Sequence, residues 1–74
     1  MLKLLKLKRL IKKVNGLILD RASLPYLVLI ENSLHLKEYH DYFIAVLDYA
    51  IRKKTITIIQ RQAIDRIVKL KEAK

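Results

Sequence analysis

No cysteine occurs among these 74 residues, so neither a disulfide nor a thiolate metal site can staple the chain. Packing and association must hold it together instead. A single domain of this length, spanning 1–74, buries only about 60% of the surface its unfolded form exposes. Yet 53% of the residues are hydrophobic, more than so small an interior accommodates. The surplus predicts an apolar surface covered by a second copy or by a protein partner. Gly, Pro, Met, Asn and Gln are scarce while Leu, Ile and Lys dominate, the composition of a thermophile protein.

Apolar periodicity predicts an all-α fold, a small bundle of three to four helices. Leu4, Leu7, Ile11 and Val14 recur at spacings of three and four, with Lys6, Lys8, Arg9, Lys12 and Lys13 between them. This is a basic amphipathic N-terminal helix within 1–16, stopped by Asn15-Gly16. Residues 17–56 read as an apolar and acidic packing core, in which 17–23 is a turn or a continuation. Ser23 is placed to cap a helix with Pro25 in its first turn, although the apolar run 25–30 also suits a buried strand. Asn32-Ser33 reads as the N-cap of a central helix from Leu34 to Arg52, with Leu36, Tyr39, Phe43 and Leu47 on its buried stripe. Thr57 and Gln60 form a capping box, opening a basic C-terminal helix in 57–74 that is expected to bury Ile59, Ala63, Ile67 and Leu70, with Ile64 and Val68 alongside. Arg61 and Asp65, four apart, are placed to pair. The alternative fold is α+β: a short βαβ unit in which Thr55–Ile59 pairs with 25–30 across the central helix.

The net charge of +9 is segregated. Residues 1–16 hold six basic groups and no acid. Residues 52–74 hold eight basic groups against Asp65 and Glu72, while 17–51 hold Arg21 and Lys37 against five acids. Two basic ends therefore flank an acidic centre that contains every aromatic. Such asymmetry points to a polyanion. The predicted contact residues are Lys3, Lys6, Lys8, Arg9, Lys12 and Lys13 at one end, and Arg52, Lys53, Lys54, Arg61, Gln62, Arg66 and Lys69 at the other. Because the basic ends lack aromatics, contact is expected along backbone phosphates rather than by base stacking.

Little in the sequence suggests catalysis. His35 and His40 fall on different sides of the expected helix and make a poor metal pair, Ser23 and Ser33 read as caps, and one glycine cannot build a phosphate loop. Neither an enzyme, a cofactor nor a small-molecule substrate is expected. The longest uncharged stretch, Ala22 to Ile30, is far short of the about 20 residues that span a bilayer, and lysines interrupt any signal-peptide core. The N-terminal pattern also suits a membrane surface or a mitochondrial presequence, but it lacks aromatic anchors and serines. The expectation is a cytoplasmic, non-catalytic accessory protein. Its leading form is a small RNA-binding subunit of a ribonucleoprotein such as the ribosome, with RNA favoured over DNA. The alternatives are a DNA-binding helix-turn-helix-like protein, with Gln60, Arg61 and Gln62 opening its recognition helix, and a protein-interaction subunit of a larger complex.

Overall fold

A computed structural model describes residues 2–17 and 20–72 of the chain, with the side chains of Lys71 and Glu72 outside that description. Ile18 and Leu19 of the predicted 17–23 turn, and the terminal Lys74, also lie outside the described residues. The architecture is all-helical: α1 (Leu2–Asn15), α2 (Leu24–Glu31), a 3-10 turn (Lys37–Tyr39), α3 (His40–Lys53) and α4 (Ile58–Glu72). No strand occurs among the described residues, which removes the βαβ alternative.

The central packing joins α1 to α3. Leu7, Ile11 and Val14 of α1 bury against a core that includes Phe43, Val46, Leu47 and Ala50 of α3. These positions repeat every three or four residues, so one stripe of each helix leaves water while its charged remainder stays solvated. Tyr39 and Tyr42 flank the buried Phe43 ring at centroid separations of 6.4 and 6.5 Å, within the range of favourable tilted ring contacts. The molecule measures 34 × 27 × 15 Å. Along the short axis the Cα trace has room for only two layers of helices, about 10 Å between axes, so most helices keep one face in solvent. Leu2, Leu24, Val28, Ile58, Ile59 and Leu70 are all exposed.

The central helix begins later than its periodicity suggests. Asn32-Ser33 does not cap it; Asn32 closes α2, its N–H bonded to the Val28 carbonyl at 2.9 Å. The chain then turns through Leu34 and His35, and the α-helical path resumes only at His40. Two contacts account for the delay. Leu36 is buried in the core, and His40 donates from Nε2 to the Leu34 carbonyl at 2.6 Å. Together they stabilise a corner that a continuous helix would have to straighten.

The two serines also depart from expectation. Ser33 lies buried in the turn after α2, and Ser23 occupies the N-cap position of α2 without making a side-chain capping bond. Its hydroxyl points into the interior instead. The predicted capping box does form: the Thr57 N–H donates to Gln60 Oε1 at 3.0 Å, and the Gln60 N–H to Thr57 Oγ1 at 3.2 Å.

The largest correction concerns α4. Ile64 and Ile67 are buried with Ile56 just ahead of them, whereas Ile59 is 78% and Leu70 60% exposed. Ile67, Ile64 and Val68 pack inward as the pattern suggests, but the helix is rolled about its axis so that Ile59 and Leu70 leave the expected face. Truncating Ile64 to Ala should cost about 2–5 kcal/mol, as for buried aliphatic side chains. Ile59→Ala should change stability by no more than about 0.5 kcal/mol, as at other exposed sites. Urea unfolding of the two variants measures the difference, and equal losses would contradict this orientation of α4.

Candidate nucleic-acid interface

The predicted cations sort into three groups. On α1, Lys6, Lys8, Arg9, Lys12 and Lys13 are all exposed and form no ion pair among the described residues. Because Leu7, Ile11 and Val14 face the core, these five side chains cover the outward half of the helix. Fourteen residues make α1 about 21 Å long. Lys3, nearer its start, reaches Asp41 of α3 at 3.0 Å, with both side chains exposed. Such a surface pair adds little stability and leaves the charge accessible.

Two grooves run beside this cationic face. One, of about 470 Å³, is lined by Lys8, Lys12, Asn15, Glu31 and Leu34 together with the edge of Ile11. The other, of about 360 Å³, lies among Lys3, Leu4, Leu34, His35, Lys37 and His40. Leu34 belongs to both, so together they follow α1 for most of its length. Sequence reasoning missed Asn15, His35 and Lys37. Lys37 sits in the acidic centre of the chain, and only the corner at Leu34–Leu36 delivers it to the α1 groove. The two histidines, expected to diverge on one helix, line the same groove because His35 lies in the turn rather than on α3. Glu31 is the single acid lining these grooves.

The second group comes from the C-terminal half. Arg52 pairs with Asp48 one turn earlier at 3.4 Å, and both are exposed. Lys53 and Lys54 are exposed at the end of α3, where Lys54 adopts a left-handed conformation (φ 59°) and its N–H bonds the Ala50 carbonyl at 2.7 Å. Gln62, Arg66 and Lys69, spaced four and three apart, share one exposed ridge of α4.

Arg61 stands apart. Its side chain is only 20% exposed and belongs to an internal network. Nε donates to the Ile56 carbonyl at 2.8 Å, while one terminal nitrogen reaches Asp20 at 2.9 Å and the Ser23 hydroxyl at 3.1 Å. Ser23, fully buried, donates to Asp20 at 2.7 Å and accepts the Ile56 N–H at 3.0 Å. Thr55 donates to the same Asp20 oxygen at 2.7 Å. The guanidinium also lies 6.0 Å from the Tyr26 ring centroid, and Tyr26 donates its hydroxyl to Asp65 at 3.2 Å. The expected Arg61–Asp65 pair is therefore replaced by Arg61–Asp20 and Tyr26–Asp65. With Gln60 in its capping box and Arg61 turned inward, only Gln62 of the three residues opening α4 is free to touch a ligand.

The hydrogen bonds from Thr55 and Ser23, with the Arg61 charge behind them, hold the Asp20 carboxyl below the usual aspartate range. Acceptance by Asp65 pushes the Tyr26 phenol up, and burial does the same to Tyr42. Among the described residues no helix is long and apolar enough to cross a membrane, and no three metal-ligating side chains gather. No protein-family model, curated protein or solved structure matches this chain.

Asp20 stays ionised in the folded chain at a pH where the unfolded chain has begun to protonate it. Its contribution to stability is thus complete above about pH 4 and fades as acid titrates the folded carboxylate. Asp20→Asn should be less stable than the parent at pH 7. It should also lose less of its remaining stability between pH 5 and pH 2.5 (both values chosen to bracket the about pH 4 of a free aspartate). Thermal melts across that range test this, and parallel pH profiles would count against the network.

Proposed function

We propose that this chain is a non-catalytic, cytoplasmic nucleic-acid-binding subunit that grips backbone phosphates, with structured RNA as its leading target. One observation supports this reading most. Five cations cover the outward half of α1 without an ion pair among the described residues, and the grooves beside them add Lys3, Lys37 and His35. Cations left unpaired on a rigid helix neutralise phosphates and release their counterions, a source of affinity that carries no sequence information. A helix about 21 Å long spans several successive phosphates along a strand or across a groove. Within a ribonucleoprotein, α1 would face RNA while α3 and α4 remain free for protein neighbours.

Sequence-specific reading of DNA by the start of α4 receives less support. Gln60 and Arg61, whose chemistry suits base edges, are engaged within the protein. Gln62, exposed beside Arg66 and Lys69, is the one residue of the three that open α4 still free to touch a base edge.

Affinity for a structured RNA should fall steeply between 50 and 200 mM salt, the span over which several phosphate contacts cost orders of magnitude. Replacing Lys6, Lys8, Arg9, Lys12 and Lys13 by Gln should flatten the logarithmic salt dependence by roughly four units and leave the circular dichroism helical. Arg61→Gln should leave that slope unchanged. If the five-site variant binds RNA with the parent's affinity and slope, α1 is not the contact surface.

A further inference from the structure

The roll of α4 leaves an apolar stripe that neither the core nor the cationic face uses. Ile59, Ala63, Arg66 and Leu70 are spaced four, three and four residues apart, the seam spacing by which one helix receives another. Ile59 and Leu70 are exposed at its two ends, about 16 Å apart along the helix axis. Beside the stripe lies a groove of about 340 Å³ between α4 and the start of α3, lined by Tyr39, Tyr42, Ala63, Arg66, Ile67 and Leu70.

The chemistry of this groove is one-sided. Five of its six lining residues are apolar or aromatic, the sixth is an arginine, and none is an acid. Arg66 forms no ion pair among the described residues. No hydrogen bond joins the Tyr39 or Tyr42 hydroxyl to another described residue, and neither oxygen is buried without a partner. Lys69, one turn beyond Arg66, is exposed and likewise free of ion pairs. An apolar floor carrying a guanidinium, an ammonium and two phenols suits an occupant with an apolar face and carboxylates at its edge.

We propose that the α3–α4 groove is a docking site for an acidic amphipathic helix of a partner protein. The partner's apolar seam lies along Ile59, Ala63 and Leu70, with a carboxylate set against Arg66. Charge selects this occupant over a second copy of the chain. Two copies would each bring a net charge of +9 and would place their own Arg66 side chains in one shared seam. Aromatic lining, and not charge, separates this surface from the α1 face, which lacks the tyrosines, so the proposal stands whether or not α1 binds RNA.

The test uses the full-length protein labelled with nitrogen-15 and a synthetic 18-residue helical peptide with leucines at seam positions and glutamates beside them. A twin carries lysines in place of the glutamates. The glutamate peptide should shift the amide resonances of Tyr39, Tyr42, Ala63 and Leu70, and the lysine twin should not. Leu70→Gln, at a site too exposed to threaten folding, should weaken binding about tenfold, the effect expected from losing one buried leucine contact. Arg66→Glu should transfer the preference to the lysine twin. Shifts confined to α1, or no binding at millimolar peptide, would overturn the proposal. So would displacement of the peptide from these residues by single-stranded RNA, or a dimer in sedimentation equilibrium that Leu70→Gln dissociates. The salt dependence of RNA binding by the Leu70→Gln variant, measured in parallel, reports on α1 alone.

Discussion

Arg61 lies across three segments that share no helix. It holds the Ile56 carbonyl, Asp20 and Ser23 at once, so the loop before α2, the loop before α4 and the first turn of α4 become one unit. A guanidinium suits this place because its planar fork donates in several directions while its charge is met by a carboxylate. The fully buried Ser23 completes the arrangement by accepting the Ile56 N–H, leaving no described buried side-chain polar atom without a partner. With Ile56 fixed at its N–H and carbonyl and its side chain buried, α4 enters at a defined rotation. That rotation turns Ile64 and Ile67 inward and leaves Ile59 and Leu70 in water. The stripe next to Tyr39 and Tyr42 is thus a consequence of where Arg61 is anchored.

At the other side of the molecule the governing element is the corner between α2 and α3. Burying Leu36 and tying His40 to the Leu34 carbonyl interrupt what would otherwise be one helical run. The interruption carries His35 and Lys37 beside α1. Both grooves along the cationic helix exist because this corner packs at Leu34 instead of continuing as helix. A bundle only two helices deep has little interior to spare, so such local choices decide which side chains reach solvent.

The same thinness gives the molecule two surfaces of different chemistry. One is a helix face whose cations form no ion pair among the described residues, and the other is an apolar groove edged by Arg66, Lys69 and two tyrosines. For a small domain with marginal intrinsic stability, a ligand that binds only the folded form adds to its stability by mass action. Either proposed ligand would therefore couple its binding to folding more tightly than in a larger protein. The proposed RNA and helix ligands would act on separate helices, α1 and α4, each packed on the core through a different face.

Much of the fold was legible in the sequence because it depends on short-range regularities. The period of Leu7, Ile11 and Val14 specifies both the existence of α1 and its buried stripe, and the spacing of Thr57 and Gln60 specifies the cap that starts α4. The outward display of the α1 cations follows from the same period. What the sequence left undecided depended on contacts between residues far apart along the chain. The apolar positions of α4 surround more than half the helix, so periodicity picked out Ile64 and Ile67 but could not exclude Ile59 and Leu70 from the buried face. Burial of Ile56, Ile64 and Ile67, with Arg61 tied to Asp20 41 residues earlier, marks the face that packs. Likewise Ser23 has the residue type and position of a cap, but the N–H it satisfies belongs to Ile56, 33 residues on. Local spacing determined which segments are helical; long-range polar contacts and burial at the two corners determined how each helix is rolled and which charges it leaves in solvent.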